Sequence, residues 1–345
     1  RLPRGRRGAA RPLKLGVLRL AERSGGDVVR ARAIAEAELA AVPWLAEGAG
    51  HDLYAVGGAW RALARIHIAQ TGYPLNMVHH YTISREEARD LTSVIAGASR
   101  RVLERLPGVP RRRVEDLPFA AVALRRVLRA TAARRVVFSA NGLREGWYME
   151  RMTAEMRARD PLLAAGEDFN RHLGRDPALP PALIGWTRPL FPGETPLHQR
   201  LRVAACWMSD IGSHDHPEYR AEQAYLRILR QPGIGLDHLA RAFLALTLAL
   251  RYEAEPEAPF LATARALLSP EDARRATILG VALRLAYTLS AGTPDLLAGT
   301  RLVVNHTLTL HLSEGGGVFA GESVTRRLDR LAAALGLDAT TRLGA

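Results

Sequence analysis

Two glycine turns in this chain have the residue types of phosphate-holding loops. Gly57 and Gly58 follow a short apolar run at 53–56 and precede an amphipathic stretch at 60–70, which puts Arg61 on its first helical turn. The second turn lies in VVFSANGLREG at 136–146. Val136, Val137 and Phe138 read as a buried strand, and Ser139, Asn141 and Gly142 break it. A helix is expected over 143–156, with Arg144 and Glu145 on its first turn. Glycine has no Cβ, so backbone N–H groups in such turns can approach an anion closely, and a helix N-terminus favours negative charge. Strand, glycine turn and helix in that order is where α/β sheets place anion-binding backbone. Taken singly, either turn equally describes tight packing or a solvated ion pair.

Other reactive side chains give weaker signals. His79 and His80 are adjacent in an extended stretch at 76–83; neighbours on a strand face opposite ways, which suits packing or surface roles rather than one metal. Asp210, His214, Asp215 and His216 crowd the stretch SDIGSHDHPEYR, but i to i+2 spacing on a loop defines no coordination geometry. No metal site is assigned from these residues. A single cysteine, Cys206, excludes an intramolecular disulfide framework and a multi-cysteine zinc site.

The elements that must position these groups fall into two regions. A chain of 345 residues accommodates about two domains. Residues 1–157 carry the strand signals, and 158–345 is expected to be helical. In the first region, 1–11 is Gly- and Arg-rich and should be mobile, 13–20 reads as a strand leading into helix, and 28–40 reads as helix. Ser84 is an expected N-cap for a helix reaching about Leu106, with Glu86 and Glu87 on its first turn. Arg111, Arg112 and Arg113 should start a helix through Arg129, where three cations would oppose the helix dipole; phosphate contact or a solvated cluster would each account for them. Prolines at 177–196 suggest a loop-rich entry to the second region. Helices follow at 197–210, 219–230, 236–252, 259–268, 271–290 and 322–335, with one alternating strand at 301–312 and a flexible glycine turn at 315–317.

The formal charge is +13, and all but Lys14 of the 48 basic residues are arginine, a bias that usually records a GC-rich genome. Guanidinium forks match phosphate oxygens, so the surface suits polyphosphate, and nucleic acid equally. No apolar run approaches the ~18 residues of a membrane span, and the N-terminus has no secretory apolar region. A cytoplasmic protein is the default.

SANGLREG, preceded by YAVGGAWRALARIH at 54–67, resembles the exopolyphosphatase/guanosine pentaphosphate phosphatase (Ppx/GppA) family. PLKLGVLRLAE, VPWLAEG, RVEDLPFAAVAL and SDIGSHDHPEYRAEQ extend the resemblance along nearly the whole chain. The resemblance implies a partial ribonuclease-H-like (actin-like) α/β domain over 1–157, followed by a helical, degenerate HD-like domain over 158–345. It places substrate on Gly57, Gly58, Arg61, Gly142, Arg144 and Glu145. It also implies Mg2+ as cofactor, polyphosphate or guanosine pentaphosphate as substrate, and a possible homodimer. The family's acidic phosphate loops and its water-activating Glu have no counterpart here, so the chain reads as N-terminally truncated and weak or inactive. Arg85, Glu86 and Glu87 echo the catalytic-Glu segment but follow the Gly57–Gly58 turn, and that role is not transferred to them. In SDIGSHDH, which is similar to the metal-binding His-Asp pair of HD-type phosphohydrolases, Ser209 stands in the histidine position. Terminal-phosphate hydrolysis is therefore the expected family activity, with non-catalytic polyphosphate or nucleotide binding, or a relic without function, as alternatives. An open sheet edge is a further expectation for such a partial domain.

Overall fold

A computed structural model of the chain describes residues 8–233, 235–313 and 321–344. The chain divides into two compact units, Arg1–Arg151 and Met152–Ala345, and the architecture is mixed α/β, mostly helical with two small sheets. The expected mobility of residues 1–7 and the glycine turn at 315–317 lie outside the described residues.

The first unit runs α1 (Val17–Ser24), α2 (Val28–Ala40), β1 (Asp52–Val56), α3 (Gly58–Thr71), β2 (Tyr81–Ser84), α4 (Arg85–Gly97), α5 (Arg100–Arg105), α6 (Leu117–Thr131), β3 (Arg135–Ser139) and α7 (Leu143–Arg151). Strand order is β1-β3-β2. β1 lies parallel to β3, pairing Asp52 with Arg135 and Val56 with Ser139, and β2 runs antiparallel, pairing Tyr81 with Phe138. Two parallel neighbours need a crossover, and the intervening chain supplies it as helices. Ala55, Phe138, Tyr81, Ile83 and Val136 join residues of α3, α4 and α6 in one apolar core. Tyr54 and Val56 on the edge strand β1 stay about half exposed.

Local chemistry explains where these helices begin, and it corrects several expected boundaries. The Asp27 carboxylate accepts from Val29 N at 2.6 Å and starts α2. Ser84 and Glu87 form a reciprocal capping box on α4. The expected single helix from Ser84 to Leu106 is two, because Ala98 is extended and Ser99 caps α5. No strand occupies 13–16: α1 follows Gly16 directly, and Leu20 is its core anchor. Arg111–Arg113 is a separate 3-10 turn rather than the start of a helix, since Pro118 fits only the first turn of α6. The three arginines therefore do not sit on a helix N-terminus. The expected 143–156 helix likewise breaks after Arg151, and Thr153 caps the next segment.

The second unit contains α8 (Ala154–Ala158), α9 (Pro161–Leu173), α10 (Leu179–Thr187), α11 (Pro196–Met208), α12 (Arg220–Leu229), α13 (His238–Arg251), α14 (Ala262–Leu267), α15 (Pro270–Ser290), α16 (Pro294–Ala298), β4 (Thr300–Val304), β5 (Thr307–Leu312), α17 (Glu322–Leu335) and β6 (Asp338–Leu343). The proline-rich entry is only partly loop: Pro177 and Pro192 lie in turns, while Pro180 and Pro196 occupy the first turns of α10 and α11, where a missing N–H costs nothing. The expected strand at 301–312 is a hairpin turned at Asn305 and His306, and β6 adds parallel to β5. An all-α second region is thus corrected to helices plus a three-stranded sheet. β6, reading DATTRL, is mostly exposed and lacks the apolar alternation that reveals a strand.

α13 is the axis of this unit: apart from Leu239 every one of its residues is buried. α15 packs against it at backbone distance, because a Cβ at Gly280 would lie 2.6 Å from Thr247 O. The axis ends in a buried polar cluster. The Asp210 carboxylate accepts from Arg175 N, Nε and Nη2, each at 3.0 Å, and lies 3.6 Å from the Arg251 guanidinium. Arg251 in turn stacks on Tyr287, 3.6 Å from the ring centre, and on Tyr252 at 4.3 Å. Removing one partner of a buried ion pair leaves the other uncompensated. Asp210→Ala should therefore cost on the order of 3–5 kcal/mol in urea unfolding; a loss below about 1 kcal/mol would show that Arg251 does not depend on it.

At the N-terminal ends of β1 and β3, Asp52 receives a two-point fork from Arg135, 2.8 Å to each oxygen, and Arg134 Nε at 2.7 Å. Arg135's hydrogen bond, joined by Arg134's, outweighs burial and holds this carboxyl at about 2, below the ordinary 3.8. A carboxyl depressed in the folded state contributes stability above its unfolded value and loses it as pH falls through the folded one. Melting temperature should therefore fall between pH 4 and pH 2 more steeply in the wild type than in Asp52→Asn. Parallel curves for the two proteins would contradict this.

Candidate phosphate-binding site

The parallel register places the carboxyl ends of β1 and β3 side by side, and each feeds a helix. Val56 leads through Gly57 into α3, and Ser139 leads through Asn141 and Gly142 into α7. Gly57 has φ 126° and ψ 156°, a conformation that side chains make costly, and it offers no side-chain cap to α3. Arg61 N bonds back to Gly57 O at 3.0 Å. The N–H groups of Gly58, Ala59 and Trp60 have no protein acceptor among the described residues.

Two guanidinium groups flank those N–H groups. Arg61 Nη1 donates to Ala140 O at 3.2 Å, which ties the first turn of α3 to the turn after β3. Arg113 Nη2 lies over Gly58, 3.0 Å from where a Cβ would stand, while its Nη1 donates to Asp116 at 2.9 Å. Upstream of Arg113, Gly108 closes on α3 with φ 80°, and a Cβ there would sit 2.6 Å from Arg65 O. Trp60 Nε1 donates to Ala120 O at 3.1 Å and pins α3 to α6. Backbone donors, a helix N-terminus and two forked cations thus converge at the start of α3, an arrangement that can hold a phosphoryl group.

The second turn is organised differently. Ser139 Oγ accepts from Asn141 N at 3.1 Å, and Ala140 N donates to His79 Nδ1 at 3.2 Å. Glu145, on the first turn of α7, accepts from Gly142 N at 2.6 Å and so occupies that N-terminus itself. Gly142's hydrogen bond is also the main reason the Glu145 carboxyl lies below its ordinary range. Arg144 is exposed and makes no hydrogen bond or ion pair among the described residues.

Gly57, Gly58 and Arg61 are therefore joined to the 139–142 turn, whereas Arg144 projects from it and Glu145 folds back on it. Arg113 and His79 are additions. The arginine triplet was visible in the sequence, but only the closure at Gly108 selects Arg113 from it. His79 precedes β2 rather than lying on it, so strand alternation was the wrong rule; His80 beside it has φ 61°.

The acidic and histidine side chains nearest these turns are already engaged within the protein. Among the described residues no group of three His, Cys, Asp or Glu side chains could hold a metal ion. At the crevice Glu145 is engaged by Gly142 N and Asp116 by Arg113. In SDIGSHDH, Asp210 is held by arginine, Ser209 Oγ donates to Cys206 O at 2.7 Å and accepts from Tyr287 Oη at 2.9 Å, and Asp215 lies 3.4 Å from Arg227. The buried Cys206 thiol is pushed up to about 12 by desolvation, so it is no nucleophile. Among the described residues no helix is long and apolar enough to cross a membrane.

Retrograde regulation protein 2 of Saccharomyces cerevisiae is 26% identical over 222 residues, covering 59% of this chain and 36% of its own length. The chain thus spans about a third of the curated relative it matches. The pattern of the exopolyphosphatase C-terminal family matches residues 162–340, and that of the Ppx/GppA phosphatase family matches 8–155. With both halves of the sequence so matched, the chain belongs to the Ppx/GppA phosphatase family.

Proposed function

We propose that this chain is an exopolyphosphatase-like protein that holds the terminal phosphates of polyphosphate or guanosine pentaphosphate at the N-terminus of α3. Family membership supports a phosphatase-like function. The observation that carries the reading is the uncapped first turn of α3 between Arg61 and Arg113. The partial ribonuclease-H-like reading of the first unit accords with the glycine turns at the ends of β1 and β3. The HD-like reading of the second unit is kept as descent only, since its acidic residue is engaged by Arg175.

Hydrolysis of a phosphoanhydride needs an activated water and neutralisation of charge on the leaving phosphate. Neither a free carboxylate nor a metal-donor set is present at this crevice among the described residues. The chain alone is accordingly a binder with weak or no turnover. In an assay of phosphate release from long-chain polyphosphate with Mg2+, it should stay at background. Sustained turnover would overturn this assignment.

Binding has its own signature. Each charge-assisted hydrogen bond contributes roughly 1.5–3 kcal/mol, so Arg61→Gln and Arg113→Gln should each weaken tripolyphosphate binding by about tenfold or more. Affinity should fall linearly with salt on a double-logarithmic plot. Glu145→Gln removes a negative charge beside the crevice and should strengthen binding. Titration calorimetry reads all three, and titrating guanosine pentaphosphate in parallel identifies which substrate the site prefers. Unchanged affinity in both arginine variants would remove the site from α3.

A further inference from the structure

A second arginine cluster lies on a different part of the first unit. Arg32 of α2, Arg125 and Arg126 of α6, and Ser93 of α4 line a mainly polar cavity of about 100 Å3. Arg89, one turn before Ser93, is drawn in through its carbonyl, which accepts from Arg125 Nη1 at 2.8 Å. None of these residues belongs to the crevice at Gly57, and the inference does not rest on that reading.

The cluster is electrostatically expensive as it stands. Burial first, and then the charges of Arg126, Arg32 and Arg89, pull Arg125 below the ordinary arginine value, and only Asp90 opposes them. Asp90 is itself paired with Arg89 at 3.1 Å, and Glu36 approaches Arg126 at 3.4 Å from an exposed position. Arg126 Nε is buried with no hydrogen-bond acceptor. Arg32 has neither hydrogen bond nor ion pair among the described residues. Four cations and two partly committed carboxylates leave the site short of negative charge and of acceptors.

The cavity's size limits what could restore both. About 100 Å3 corresponds to roughly three waters, enough for one tetrahedral oxyanion. It is below the roughly 300 Å3 at which ordinary small-molecule pockets begin, so a nucleoside would have to stay outside. A tetrahedral oxyanion offers acceptors on all sides, which matches forked donors arriving from α2 and α6. We propose that Arg32, Arg125 and Arg126, with Ser93, form a second anion site that takes a single phosphate group. The group is either free inorganic phosphate or the exposed end of a phosphate chain.

The test is thermal melting of the full chain against increasing phosphate, with sodium chloride adjusted to hold ionic strength constant. Arg61→Gln serves as the background, so that binding at the start of α3 is weakened. In that background inorganic phosphate should raise the melting temperature by several degrees. Adding Arg32→Gln should abolish the rise. In phosphate-free, low-salt buffer the same substitution should raise the melting temperature, because it relieves repulsion without removing an internal bond. Arg125→Gln should also abolish the response, and Arg32→Lys, which keeps charge but loses the fork, should weaken it. Tripolyphosphate acting at lower concentration than inorganic phosphate would identify the chain end as ligand; the reverse order would identify free phosphate. No phosphate response in Arg61→Gln, or a full response in Arg32→Gln and Arg125→Gln, would overturn the proposal. Loss of tripolyphosphate binding only through Arg61 and Arg113 would leave the crevice standing and this second site refuted.

Discussion

The parallel pairing of β1 with β3 is the constraint on which the first unit depends. Val56 beside Ser139 means that two separate turns, 83 residues apart in sequence, leave the sheet at the same end. An antiparallel pairing of the same strands would send the two turns to opposite ends. The crossover that parallel pairing requires also builds the rest of the unit: α3 must fold back over the sheet, and α6 must pack beside it before β3 can enter. The single hydrogen bond from Arg61 to Ala140 O then closes the crevice that the register has already created.

Arginine does two physically different jobs in this chain. Where a guanidinium is deeply buried it is mostly matched: Arg202 forks onto Glu194 and also reaches Ile184 O, and Arg251 is held between Asp210 and two tyrosine rings. Such pairs are poor sources of net stability but are severe to break, so they fix packing rather than add to it. Arg241 shows the limit, fully buried with one bond to Gln231 O and burial lowering its affinity for a proton. Elsewhere guanidinium groups crowd together with fewer carboxylates than cations, at Gly58, where Arg113 keeps Asp116, and in the α2–α6 cavity, where Glu36 approaches Arg126. A compositional preference for arginine over lysine accounts for the number of arginines but not for this division between matched and crowded ones.

Helical periodicity carried most of the element identities, because an apolar stripe is a property of nearby residues. α2 and α17 follow the bounds that periodicity alone assigns. Their neighbours were misjudged where one residue's meaning depends on its place in the helix. Pro180 and Pro196 read as breakers, yet each lies in the first turn of a helix, where a residue has no hydrogen bond to lose. β6 was invisible because its pairing with β5 follows from α17 returning the chain, not from its own exposed residues. At the site, Gly57, Gly58 and the 139–142 turn were legible as glycine chemistry. Arg113 was not, because its approach to Gly58 is set by a tertiary closure at Gly108.

The carboxylates say what the arginines alone cannot. A hydrolytic site for phosphoanhydrides must keep acidic groups unpaired among cations, which costs stability unless metal or substrate compensates. Around the Gly57 crevice the nearby acids have instead been satisfied from within, Asp116 by Arg113 and Glu145 by the backbone of Gly142. Glu145 is the more telling, because it sits on a helix N-terminus where a phosphate would otherwise be welcome. The two turns at the sheet's edge are therefore not equivalent. One N-terminus is closed by its own glutamate and the other is open between two arginines, so of these two turns only the start of α3 leaves N–H groups for the proposed phosphate.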